Sequence, residues 1–127
     1  MFLPDTHTER VLAWLSSSSE FPVVSRWTIA EFSSATARQE RMGQVSHEAR
    51  LEAEHSLDVW LSGIDRAPVL AADFEAARDL IRSDRVRLRT PDALHLAIAR
   101  RLSARLATVD ARMAEAAEQI GMLASSL

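Results

Sequence analysis

Helix-like patterns of apolar residues alternate along this chain with short apolar runs, and this alternation constrains the fold more than any other feature. Three of the runs predict β-strands: Phe21–Ser25, Ala67–Leu70 and Arg105–Val109. Apolar residues spaced by three and four predict helices over residues 8–15, 28–41, 46–61, 73–81, 91–102 and 110–120. Helices that alternate with short strands indicate an α/β fold with a parallel sheet flanked by helices.

Length and composition fit one domain over residues 1–127. The apolar fraction of 47% supplies enough material for a single core. No apolar run approaches the roughly 20 residues that cross a bilayer, and no signal peptide is recognised, so no membrane association is expected. The chain has no cysteine, which excludes disulfides, thiolate metal ligands and a thiol nucleophile and fits a cytoplasmic location.

The charge is unevenly distributed. The net charge of −3 argues mildly against a free-standing nucleic-acid binder, which is usually basic. Every basic residue is an arginine, and several cluster within residues 82–89 and 100–105. Two interpretations stay open: a solvated face, which is the more common case, and a patch that contacts phosphates.

Three acidic residues stand out by their positions at helix starts. Glu31 follows the first predicted strand, Asp110 follows the third, and Asp92 opens the helix that begins at Thr90-Pro91. Sites in open α/β sheets form at the carboxyl ends of the strands. If the strands are parallel, the three carboxylates are therefore expected to converge at one end of the sheet.

Each acid also has a purely structural explanation. Thr28-Ile-Ala-Glu31 matches a capping box, in which the glutamate reaches back to a free backbone N–H. Thr90, Pro91 and Asp92 match an N-cap, a proline in the first turn and an acid favoured by the helix dipole. Asp110 matches an N-cap by itself. Taken singly, each acid is better explained as a cap than as a ligand.

Taken as a set, the acids indicate a metal site. Convergent carboxylates repel one another unless a cation neutralises them. Mg²⁺ and Mn²⁺ prefer oxygen ligands, and such ions activate water and stabilise charge on an attacked phosphate. The four histidines show no metal-ligand spacing; His95 lies one turn after Asp92 and is expected at the surface or in support of the site.

Two motifs resemble those of PIN-domain ribonucleases of the VapC toxin type. Arg89–Ala97 (RTPDALHLA) resembles their central motif, and Leu106–Asp110 (LATVD) resembles their last strand with its acidic end. Val24–Phe32 (VSRWTIAEF) resembles, less specifically, the segment that bears their second acid. The similarity extends from about Phe2 to Gly121.

This resemblance implies a PIN-like three-layer fold and Mg²⁺- or Mn²⁺-dependent RNA cleavage. It assigns Glu31, Asp92 and Asp110 to three of the four metal-site acids of the family, and Thr108 to a hydroxyl residue beside the last one. It also implies a small antitoxin protein as partner and a homodimer, because many bacterial members are toxins held inactive in this way.

The chain departs from the family at its start. Members begin with a strand that ends in an aspartate, whereas the first residues of this chain resemble the segment located just after that strand. Asp5 falls in the wrong place to replace the missing acid and is expected to help cap the first helix. Loss of a central strand leaves backbone groups unpaired, at about 1–3 kcal/mol each when buried. We therefore expect an upstream start, a closed-up sheet or another chain in the gap, and no conventional five-stranded sheet.

These patterns support three hypotheses. The first is a metal-dependent endoribonuclease, the toxin of a type II toxin–antitoxin pair, with its first strand missing. The second is a catalytically impaired PIN-like module that binds an antitoxin or itself without cleaving RNA. The third is an unrelated helical domain in which all three acids are caps.

Overall fold

The structure is a computed structural model and describes residues 6–127. These residues form two compact units, residues 6–68 and Val69–Leu127. Each unit contains helices and one pair of parallel strands. The predicted α/β class with parallel strands is therefore confirmed.

The first unit consists of three helices and two short strands that pair with each other. In chain order it contains α1 (Thr6–Ser17), β1 (Val23–Ser25), α2 (Arg26–Arg41), α3 (His47–Leu61) and β2 (Asp65–Ala67). The strands β1 and β2 are parallel, with Val23 opposite Asp65 and Ser25 opposite Ala67. A parallel pair needs a long crossover connection, and α2 and α3 supply it.

Polar contacts join α2 to α3. The Glu54 carboxylate accepts hydrogen bonds from the hydroxyls of Ser33 at 2.8 Å and Thr36 at 2.7 Å. Thr36 is buried, so its hydroxyl needs a partner inside the protein. Nearer the end of α2, the Glu40 carboxylate accepts from Arg50 and contacts His47, and these two groups lower the pKa of Glu40.

The second unit also contains three helices and two strands, in a different order. It contains α4 (Ala71–Arg82), α5 (Thr90–Arg101), β3 (Leu106–Thr108), α6 (Ala111–Gln119) and β4 (Ala124–Ser126). The strands β3 and β4 are parallel, with Leu106 opposite Ala124 and Thr108 opposite Ser126. The helix α6 forms the crossover between them.

The core of the second unit lies between α4, α5 and α6. Buried members of one cluster come from all three helices and from the α4–α5 loop: Leu80, Val86, Leu96, Met113, Ala116 and Ala117. Leu106 and Ala124 of the strands pack against this cluster. The same core therefore orients the start of α5 and the carboxyl end of β3.

Several boundaries differ from the sequence-based predictions. β4 was not predicted, and β2 ends at Ala67, where the predicted strand began. Within residues 6–127 the four strands form two pairs, and the first strand lies after the first helix. No five-stranded sheet forms from these residues, which leaves the expectation of a missing first strand in place. Asp5 lies outside the described residues.

None of the helices within residues 6–127 has the length and apolar character needed to span a bilayer.

Candidate functional site

Asp92 lies in the first turn of α5, but it does not cap that helix. The N-cap is Arg89, whose carbonyl accepts from Ala93 N at 2.9 Å, and no side chain completes the cap. The prediction of Thr90 as the N-cap is therefore wrong, because the helix begins one residue earlier. The half-buried carboxylate of Asp92 has no hydrogen bond or ion pair within residues 6–127.

Asp110 caps α6, as the sequence predicted. Its Oδ1 accepts hydrogen bonds from Arg112 N at 2.9 Å and Met113 N at 3.4 Å. The hydroxyl of Thr108 accepts from the backbone N–H of Asp110 at 3.1 Å and holds the turn after β3. Since a carboxylate has two oxygens, the cap occupies only one of them, and Oδ2 accepts no bond from the described residues.

Asp92 and Asp110 line one cleft in the second unit. This cleft has a volume of about 750 Å³ and lies where α5 begins and β3 ends. Asp84 adds a third acid, and three arginines, Arg87, Arg89 and Arg112, also line the cleft. The cleft therefore brings carboxylates and guanidinium groups together within one unit.

Glu31 lies in the first unit, in the second turn of α2. The cap of this helix is Ser25, whose hydroxyl accepts from Thr28 N at 3.0 Å. Because Thr28 is the third residue of the helix and not its cap, the predicted capping box between Thr28 and Glu31 is wrong. The explanation of Glu31 as a cap is thereby removed, and its side chain is half-buried.

His95 lies on α5 one turn after Asp92 and is half-buried. It is absent from the residues that line the cleft, whereas Asp92 on the same helix is among them. The side chain of His95 is therefore not part of the cleft lining.

The donor atoms suit a hard divalent ion. Asp92 and Asp110 offer carboxylate oxygens, and carboxylates and water are the ligands that Mg²⁺ and Mn²⁺ prefer. Within each unit of residues 6–127, no three His, Asp or Glu side chains form a group that holds a metal ion by themselves. A complete ligand set in the second unit would therefore combine its two carboxylates with water, substrate or a further acid.

Two groups of cleft residues were not assigned to the site from the sequence. Asp84 and Arg112 were not singled out, and Arg87 and Arg89 were noted only as part of a charged cluster. The signal for the arginines was present in Arg85–Arg89 (RVRLR), where apolar and basic residues alternate with a period of two. Such alternation predicts one buried and one exposed face.

The profile of the PIN domain family matches residues 1–119 of the chain. Among curated proteins, none matches this chain significantly.

Proposed function

Because this chain belongs to the PIN domain family, we propose that it is a metal-dependent endoribonuclease of the VapC type. PIN domains are typically metal-dependent nucleases. The observation that carries the proposal is the pair of carboxylates on one cleft: that of Asp92 has no described partner, and that of Asp110 has one oxygen unengaged. A half-buried carboxylate without a partner is costly unless a cation or water completes it.

The acids assigned to metal binding and catalysis are Glu31, Asp92 and Asp110. Bound Mg²⁺ or Mn²⁺ would lower the pKa of a water molecule and stabilise the charge that develops on the attacked phosphate. Asp92 and Asp110, which line the same cleft, would orient that water and the scissile phosphate. The assignment of Glu31 rests on the family resemblance of its segment, Val24–Phe32.

Two further residues would support these acids. The hydroxyl of Thr108 fixes the backbone of Asp110, so its removal would displace the carboxylate without changing the charge of the site. His95 lies one turn along α5 from Asp92 and would help to fix the position of that helix. Both would act through position and not through contact with the reacting atoms.

The resemblance to VapC toxins extends the proposal to partners. The chain would be the toxin of a type II toxin–antitoxin pair, would act in the cytoplasm on RNA, and would form a homodimer. A small antitoxin would hold it inactive. The alternative is a PIN-like module that binds the antitoxin or itself and cleaves no RNA.

The test is RNA cleavage during titration with Mg²⁺ or Mn²⁺. Glu31→Gln, Asp92→Asn and Asp110→Asn each remove a negative charge at nearly constant volume, and we expect each to lower the cleavage rate by roughly 100-fold or more. Glu118→Gln is the matched control, because Glu118 is exposed on α6 and does not line the cleft.

Equal cleavage by all four variants would refute the assignment of the site. Absence of cleavage by the unaltered chain with either ion, together with binding of an antitoxin, would select the alternative. Cleavage that needs no divalent ion would refute the metal-dependent mechanism.

A further inference from the structure

We propose that Arg87, Arg89 and Arg112 form a phosphate-binding platform that holds the backbone of single-stranded RNA across the cleft. This inference rests on the proposed ribonuclease function and names the residues that would bind its substrate. All three side chains are exposed and line the same cleft as Asp92 and Asp110.

The guanidinium groups of the three arginines lack partners inside the described chain. Elsewhere in the second unit an arginine is held by a carboxylate: Arg101 pairs with Asp73 at 2.7 Å. No hydrogen bond or ion pair within residues 6–127 engages the side chain of Arg87, Arg89 or Arg112, although three carboxylates line the same cleft. Their fifteen N–H donors, five for each guanidinium group, are therefore available to an external anion.

The core fixes where two of these side chains point. Val86 is buried and Leu88 packs against the same apolar cluster, so the alternating residues Arg87 and Arg89 face away from it. The backbone at Arg89 is extended, with φ −80° and ψ 163°.

The third arginine approaches from a different element. Arg112 is the second residue of α6, and its backbone N–H is held by the Asp110 carboxylate at 2.9 Å. The platform therefore spans from the α4–α5 loop to the start of α6, with Asp92 and Asp110 in the same lining. Guanidinium groups bind phosphate oxygens in a bidentate manner, which makes a phosphodiester backbone the fitting occupant.

The experiment measures binding of a short fluorescein-labelled oligouridylate by fluorescence anisotropy, with EDTA present to prevent cleavage. Each phosphate contact to a single strand contributes about 0.7 to the slope of log affinity against log salt, which is a factor of about five at about 0.1 M salt. The triple variant R87Q/R89Q/R112Q should therefore bind roughly 100-fold more weakly, with a slope reduced by roughly 2.

A matched triple variant separates position from charge. R82Q/R85Q/R100Q removes the same charge from exposed arginines that do not line the cleft. It should change affinity by no more than about threefold, because exposed charges that do not contact a bound phosphate act only through attraction that salt screens. Equal weakening by both triple variants would overturn the proposal, as would displacement of RNA by polyglutamate as effectively as by unlabelled oligouridylate.

The failure of this inference is distinguishable from failure of the ribonuclease proposal. Asp92→Asn should lose cleavage while binding RNA at least as tightly, since it removes a negative charge from the cleft. If RNA binding is unchanged in R87Q/R89Q/R112Q while cleavage still requires Asp92, the platform is refuted and the nuclease stands. If the platform binds RNA but no ion supports cleavage, the platform stands and the nuclease is refuted.

Discussion

Arg101 at the end of α5 holds Asp73 at the start of α4 through two parallel hydrogen bonds. Its Nε donates to Oδ1 at 2.7 Å and its Nη2 donates to Oδ2 at 3.0 Å. Oδ2 of Asp73 also accepts from Leu70 N at 2.8 Å, which completes the cap of α4. One carboxylate, only 1% exposed, therefore fixes both the start of α4 and its packing on α5.

Substitution of Asp73 tests this link. We expect Asp73→Ala to lower the free energy of unfolding by about 3 kcal/mol, because it removes the buried carboxylate that accepts hydrogen bonds from Arg101 and from the backbone N–H of Leu70. Asp79→Ala is the control, since Asp79 is exposed on the same helix and its carboxylate forms an exposed ion pair with Arg78; its effect should stay below about 0.5 kcal/mol. Urea denaturation of both variants measures the difference, and equal effects would contradict the assigned role.

The same ion pair predicts a dependence of stability on acid pH. Hydrogen bonds from Arg101 lower the pKa of Asp73 below its ordinary value of 3.8, against the opposing effect of burial. For a carboxyl whose folded pKa is depressed, the stabilisation is fully present above the unfolded pKa and disappears as the pH falls through the folded value.

The urea midpoint of the unaltered chain should therefore fall more steeply below about pH 4 than that of Asp73→Asn. The asparagine variant lacks this titration, so the difference between the two chains should shrink as the pH decreases. A difference that stays constant from neutral to acid pH would show that Asp73 does not contribute through its charge.

Asp110 has two roles that substitution can separate. Asparagine caps a helix about as well as aspartate, whereas alanine does not, and loss of a cap costs about 1 kcal/mol. Asp110→Asn should therefore keep the unfolding free energy within about 0.5 kcal/mol, and Asp110→Ala should lower it by about 1 kcal/mol. Both variants should lose most of the RNA cleavage. RNA hydrolysis measures this loss, and thermal melting of the same variants measures their stability. Full activity in the asparagine variant would show that Asp110 acts only as a helix cap.

Leu96 tests the core behind the cleft. It is fully buried in the cluster that also holds Val86 and Met113. Leu96→Ala should cost about 2–5 kcal/mol, because it creates a cavity where the neighbouring side chains collapse only in part. Leu123, which is 67% exposed, supplies the control, and its alanine variant should lose less than about 1 kcal/mol. Urea denaturation measures the free energy of unfolding of both variants. A similar loss in the two would show that Leu96 does not belong to the core.

The helix caps show where local pattern and structure diverge. Both Ser25 and Thr28 are capping residues by type, and the glutamate three residues after Thr28 favoured the later start. The helix instead begins directly after β1, because Val23–Ser25 pairs with Asp65–Ala67 and ends the extended backbone at Ser25. The choice between the two caps was made by a strand about 40 residues away in sequence, as Ser25 lies opposite Ala67 in the register.

β4 shows the same limit in a strand. Ala124–Ser126 has no branched or aromatic residue, so its β-propensity is low. It is extended because it pairs with β3: Leu106 N donates to Leu123 O, and Leu127 N donates to Thr108 O. A strand that depends on its partner in this way carries no local signal.

The alternation of six helices with three of the four strands within residues 6–127, which indicates the parallel α/β class, and the cap at Asp110 were determined by the sequence alone, since these elements depend on residues within a few positions of one another. The pairing of Asp73 with Arg101, separated by 28 residues, and the meeting of Arg87, Arg89 and Arg112 on one cleft were decided only by the tertiary structure. Ion pairs and clefts form between elements that pack against a common core, and the residues they join have no fixed spacing along the chain.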